Sequence, residues 1–260
     1  MRGKALISVA PSGIADIAPA PAGVVALEHR LPQLDTIPPV KRREMQIAAR
    51  EVLECRRVLR RGGLNVVGEV LRGQGEFFEL EHYPHDDVLD KDSHAQYYYH
   101  AHRGEVEHGH FHCFMRAGGF AEGAQAVDWP LASAPWPTGD DAICHLVAIS
   151  MDAWGEPIGL FATNRWVTDE SWYPASEVIR MLEGFEVDHA APSWPVNRWL
   201  GAMLRLYRPW VAGLLRHRDE VVAAHASVSP ADDTLEDRSL EITGYIHIEV
   251  DALAASLGVT

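Results

Sequence analysis

Five histidines fall within thirteen residues of this chain, at positions 100, 102, 108, 110 and 112, and every one of those positions is even. In an extended strand, side chains two residues apart point to the same face. His100 and His102 therefore form one row of imidazoles, and His108, His110 and His112 form another. Rows of imidazole beside carboxylates, here Glu105 and Glu107, are what divalent transition metals bind. Imidazole with carboxylate suits zinc, iron(II), manganese or nickel, and no Cys-x-x-Cys is present to build a structural zinc ribbon. Three protein ligands with an open position is the arrangement that does chemistry.

The two rows meet only if 97–102 and 107–116 pair as a hairpin, and the sum of the paired residue numbers then decides which groups face each other. A five-residue loop makes that sum 210. It sets His102 opposite His108, His100 opposite His110 and Tyr98 opposite His112, which is a histidine-only site. A two-residue turn at Arg103-Gly104 makes it 207, sets His102 opposite Glu105 and His100 opposite Glu107, and sends His108, His110 and His112 to the other face. Either register brings at least three ligand-type side chains within reach of one ion. The candidate metal set is accordingly His100, His102, Glu107, His108, His110 and His112. Glu105 is then free to act as a general base, Tyr98 to hydrogen-bond bound substrate, and Arg165 to clamp a substrate carboxylate or phosphate.

The elements that must position these residues can be read from changes of period. Met45, Ala48, Val52, Cys55 and Leu59 recur at helical intervals from Lys41 to Arg61, with Pro38-Pro39 before and Gly62-Gly63 after. A short helix is expected over Val66 to Leu71. Alternation then predicts a strand over Glu76 to Tyr83, ended by a loop at Pro84-His85-Asp86-Asp87, with Phe78, Leu80 and His82 facing inward. Further strands are expected at 95–102, 107–116, 143–151, 157–167 and 241–250, with helices over Ser176–Phe185 and Val196–Ala226 and a kink or break at Pro209. The irregular stretch 118–142 has the length of a lid and is the expected cover for a site. Residues 1–37, rich in Ala, Pro and Gly, read as a loosely ordered arm, leaving 38–260 as one metal-binding domain. The pattern of helices, strands, helices and strand predicts an α+β fold, with a central antiparallel sheet or barrel flanked by N- and C-terminal helices.

Composition narrows the function. A formal charge of −14 repels phosphate backbones and anionic lipid, so neither nucleic acid nor membrane is an expected partner. Three scattered cysteines make no disulfide framework, and the early break of the apolar start by Pro11, Ser12, Gly13 and Asp16 argues against an export signal. A cytoplasmic address is expected. No glycine-rich nucleotide loop and no Gly-x-Ser-x-Gly nucleophile turn is present. Cys113 alternates away from its histidine neighbours and reads as core. His145, in a row with Ile143, Val147, Ile149 and Met151, and His247, between Ile246 and Ile248, read first as packed sheet residues.

His100-Ala101-His102, followed after four residues by Glu107, resembles the first metal motif of cupins, small antiparallel barrels whose His-x-His and Glu bind a metal with a later histidine. Pro157-Ile158-Gly159 resembles the proline-glycine element of their second motif, although Ala162 and Trp166 occupy its histidine and asparagine positions. The resemblance implies a cupin-like barrel. The run Tyr97 to Phe114 is also similar to a family of bacterial proteins that carries no activity over. The expected function is a metal-dependent enzyme acting on a small polar substrate through non-haem iron(II) or zinc, with manganese or nickel as further options. Oxygenase chemistry is preferred to hydrolase or isomerase chemistry because a mixed His/Glu set resembles oxygen-activating sites. The alternative is a non-catalytic metal-binding or sensing protein, whose helices would serve a homodimer.

Overall fold

In the computed structural model, which describes residues 27, 31–104 and 106–260, the decisive hairpin takes the even register. Strand β2 (Ala95–His100) pairs antiparallel with β3 (Gly109–Arg116), and His100 stands opposite His110 and Tyr98 opposite His112. They sit inside a six-stranded antiparallel sheet with β1 (Tyr83–Leu89), β4 (Ile143–Met151), β5 (Pro157–Thr163) and β6 (Ile242–His247), in the spatial order of the sequence. The fold is α+β. The sheet is open, with β1 and β6 as its two edges, so the cupin-like barrel is not what forms.

Both faces of the central strands are buried, for different reasons. One face packs on helices: α1 (Pro39–Arg61) lies against α5 (Trp194–Val228), and their apolar stripes join Tyr97, Tyr99, Phe111, Cys113, Met115 and Ile149 in one core. The ring of Phe111 lies 6.0 Å from that of Trp199, and the Tyr97 hydroxyl donates to Asn197 Oδ1 at 2.6 Å. Asn197 in turn donates through Nδ2 to the carbonyls of His189 and Ala191. The opposite face carries Tyr98, His100, His110, His112, Phe114, Ser150 and Phe161, all of them buried.

A bulge on β4 alters what this second face holds. Cys113 pairs with Val147 but Phe114 pairs with His145, so Leu146 is the extra residue. Below the bulge Val147, Ile149 and Met151 face the helices, as alternation predicts. Above it the phase shifts by one, Leu146 and Cys144 join the helix-side core, and His145 turns to the histidine face. This corrects the reading of His145 as a member of the apolar row.

The helices form where composition indicates. Pro39 opens α1 without cost because the first helical N–H has no partner, Gly62 ends it, and Gly63 follows at φ 71°. The Asn65 side chain accepts from Gly68 N at 2.7 Å to start α2 (Val66–Leu71). Two short helices, α3 (Arg165–Thr168) and α4 (Ala175–Met181), separate β5 from α5, and α6 (Val250–Ser256) closes the chain. α5 runs unbroken through Pro209. Among the described residues no helix is long and apolar enough to cross a membrane. Of the segment read as an arm, Leu27 and Ile37 are buried in the core; 1–26 and 28–30 lie outside the described residues.

Three further expectations are corrected. Residues 76–82 form no strand, and Pro84–Asp87 lie inside β1, because an edge strand tolerates a proline that an inner strand cannot. Phe78 and Leu80 are exposed. The stretch 118–142 does not cover the histidines: Trp129 donates to Asp233 Oδ1 at 2.9 Å, and Trp129 and Trp136 pack on Trp172, Val222 and Leu235.

Replacing Asn197 by Ala strips the Tyr97 hydroxyl and two loop carbonyls of their partners at once. A loss of about 2 kcal/mol or more is expected in urea unfolding, since each buried polar group left unpaired costs roughly 1–3 kcal/mol. An unchanged unfolding midpoint would refute the role given to this bond.

A candidate metal centre

The even register sets imidazoles from adjacent strands side by side. The His110 ring lies 4.5 Å from that of His100 and 4.7 Å from that of His112. One ring nitrogen from each of His100, His110 and His112 lies within 4.8 Å of the others, close enough for the three to hold a metal ion. His110 and His112 are each 1 % exposed. Tyr98, Phe114 and Phe161 wall the group on its flanks.

Burial in such surroundings disfavours the charged form of imidazole. It pushes His110 and His112 well below the usual range, with neighbouring imidazoles adding to the effect. His100 is pushed down to about 2 by burial, then by His110, His102 and His82, and His145 to about 3 by burial, then by Arg218. At neutral pH all four rings are uncharged, and each has one lone pair and one N–H to place.

The hydrogen bonds place them. The Glu107 carboxylate lies 2.5 Å from His110 Nδ1 and also accepts from the Ser150 hydroxyl. This fixes the His110 proton on Nδ1 and leaves its Nε2 as a lone pair, 2.7 Å from Nε2 of His100. His112 Nδ1 lies 2.9 Å from His145 Nε2, and His145 Nδ1 lies 3.3 Å from Thr163 Oγ1. Running outward from His112, Nδ1–H donates to His145 Nε2 and His145 Nδ1–H donates to Thr163 Oγ1, which leaves Nε2 of His112 as a bare lone pair. That atom is buried and has no hydrogen-bond partner among the described residues. A carboxylate or a second imidazole behind the ring is how proteins orient metal-binding histidines.

Glu107 reaches this position through the turn. Extending β3 backwards would put residue 107 on the helix side, but the strand starts at Gly109, and Val106 and Glu107 both donate their N–H to the Arg103 carbonyl. That turn folds the carboxylate under His110. Burial raises the Glu107 carboxyl, with Arg103 and Ser150 acting against the rise. Gly159 sits opposite Ser150, where a Cβ would collide with the Tyr245 hydroxyl. Glycine lets Tyr245 cross β5 to reach Ser150.

His102 stands at the rim, its ring 5.0 Å from His100 and 5.1 Å from His110. His108 turns to the other side, where it meets the Tyr99 hydroxyl at 2.6 Å and stacks on Phe77. Tyr98 is packed on His82, ring to ring at 3.6 Å, and burial pushes its phenol up. Arg165 is 1 % exposed and spends its donors on Glu236, Asp169 and the Glu170 carbonyl. Glu105 lies outside the described residues. Sequence reasoning did not single out Ser150, Thr163, Glu170 or Arg103. Ser150 and Thr163 carry the signal of a polar residue in an otherwise apolar strand. Glu170, pushed up to about 7 by burial, receives the backbone N–H of His145 at 2.6 Å and thereby holds the bulge.

The family model described as Domain of unknown function (DUF6969) matches residues 46–248. The chain belongs to this family. In this DUF6969 chain every member of the histidine network lies inside the matched span. Neither a search of curated proteins nor one of solved structures returns a match.

A pH dependence follows for protein kept metal-free with a chelator. Four imidazoles depressed in the folded state are ordinary in the unfolded one, so unfolding takes up protons below about pH 6.5 and stability is lost as the pH falls. Glu107 and Glu170, both raised by burial, act with the opposite sign, Glu170 as the pH falls from about 7 to 4.5, but they are two groups against four. The unfolding free energy is expected to fall from about pH 7 to 5, by up to about 1.4 kcal/mol per pH unit for each net proton, and the melting temperature to fall with it. A flat or rising profile would contradict the neutral network.

Proposed function

We propose that His100, His110 and His112 bind one divalent transition-metal ion and that the protein is an enzyme acting on a small polar substrate at that ion. The supporting observation is the bare, buried Nε2 of His112 beside the paired Nε2 atoms of His100 and His110. A buried nitrogen without a partner is costly, and a metal ion is the ligand that three converging neutral imidazoles suit. The ion would take the place of the proton shared by His100 and His110. Nitrogen atoms bound at about 2.0–2.1 Å stand roughly 3.3 Å apart, so these two, now at 2.7 Å, would separate by about 0.6 Å as the third nitrogen closes in.

The donor set bears on the metal. With Glu107 committed to His110 Nδ1 and Ser150, the inner ligands are three neutral imidazoles, a set typical of catalytic zinc, whereas the facial set of non-haem iron includes a carboxylate. Zinc therefore replaces iron as the favoured ion, and Lewis-acid chemistry replaces oxygen activation as the favoured reaction class. When bound, the ion would polarise an oxygen of the substrate. The chain's own residues do the rest. Glu107 keeps the proton of His110 on Nδ1 and His145 that of His112, and Phe114 and Phe161 exclude water from the ligand rings.

A non-catalytic metal-binding role is the second reading, and the place of His102 favours it. A rim imidazole about 5 Å from two ligand rings could swing in as a fourth donor and close the coordination.

Elemental analysis of protein expressed with zinc, iron(II), manganese or nickel is expected to give one ion per chain, zinc being held most tightly. His110→Gln and His112→Gln should lower occupancy at least about tenfold, and Glu107→Gln should weaken affinity about 10–100-fold with the circular dichroism unchanged. No stoichiometric metal in any preparation would sink the proposal. With cobalt(II) substituted, a five-coordinate or anion-responsive spectrum supports catalysis, and a closed four-imidazole spectrum supports the second reading.

A further inference from the structure

Nε2 of His112 is not the sole buried orphan in this region. Nη2 of Arg103 is also buried and without a hydrogen-bond partner among the described residues. Arg103 stands in the connection between β2 and β3, and its side chain is 10 % exposed. Its Nη1 donates to Glu107 Oε1 at 3.4 Å, a long contact to an oxygen that already lies 2.5 Å from His110 Nδ1. The guanidinium carbon lies 5.2 Å over the Phe161 ring. That same ring meets His110 edge-on at 5.0 Å and His112 at 6.2 Å. The cation thus hangs over the apolar floor beside the histidines with N–H groups unspent.

Charge points the same way. Three neutral imidazoles leave both charges of a divalent ion uncompensated, and Arg103 and Glu107 offset one another. The loaded site is then a small positive island in a chain of net charge −14, and its surplus is matched by an anion. A guanidinium edge fits the two oxygens of a carboxylate, and a single such edge suits a singly charged group better than a phosphate dianion.

Resting on the three-histidine metal site proposed above, we infer that Arg103 binds the carboxylate of a small anionic substrate beside that site. The Nη2 N–H donates to a carboxylate oxygen while Glu107 stays with His110 and Ser150. Arg103 is in this reading the residue that sets the substrate class.

The test uses wild-type chain, Arg103→Gln and Arg103→Lys, each zinc-loaded and each chelator-treated, titrated with acetate and with inorganic phosphate by calorimetry and thermal shift. Acetate is expected to bind wild type and raise its melting temperature, and to bind both variants at least about tenfold more weakly. Zinc stoichiometry and circular dichroism should not change. Arg103→Lys keeps the charge beside Glu107 but lacks the fork, so it separates carboxylate recognition from a loss of fold. Three results would overturn the inference: equal acetate binding by wild type and variants, no acetate binding by wild type, or tighter binding of phosphate than of acetate. Failure of zinc to bind any of the proteins would defeat the metal site alone. The acetate comparison on the chelator-treated chains would then still decide the role of Arg103.

Discussion

A sheet buried on both faces makes every polar side chain without a partner costly, and that constraint organises this molecule. The helix side of the sheet meets it in the ordinary way, with apolar side chains against α1 and α5. The other side is built from imidazoles, a hydroxyl and a carboxylate, each of which would be costly in that position alone. They are tolerated because the hairpin register sets them in a chain of donors and acceptors running from Thr163 through His145 to His112, and from Ser150 through Glu107 to His110. One step of register would send these rows into the helix-side core and take the apolar residues out of it. Fold and candidate site therefore rest on the same choice.

Desolvation gives the network its chemical character. The force that makes a buried imidazole expensive also keeps it neutral, and a neutral imidazole is a ligand. The carboxylate behind His110 and the imidazole behind His112 then decide which nitrogen stays bare. Glu107 acts through a ring rather than on an ion directly, which separates this arrangement from the cupin pattern its spacing resembles.

Much of this was legible in the chain. The period-two histidines marked the hairpin, and the choice between a histidine-only and a His/Glu site reduced to one index sum. The structure then answered with a combination of the two: the even register holds, yet Glu107 is folded back by a turn to which strand alternation does not apply. α1 and α2 were readable because their apolar spacing and their Gly and Asn ends agree. The position of β1 was not, because Pro84 stops an inner strand but not an edge strand, and nothing local says which strand is the edge. Of the two outcomes expected at Pro209, the break does not occur, since packing along both halves of α5 outweighs one lost hydrogen bond. The placement of His145 was hidden for the same reason: a bulge depends on what the partner strand pairs with.

The extra residue at Leu146 divides β4 into two halves read in opposite phase. Odd-numbered positions after it serve the core and one odd-numbered position before it serves the histidines, so no single alternation pattern describes the strand. An insertion or deletion here would be felt in two places at once, exchanging Cys144 and His145 between hydrocarbon and imidazole neighbours. A strand usually accommodates drift one face at a time. This one ties the two faces together, so that the length of β4 is specified by the chemistry on one side and by the packing on the other.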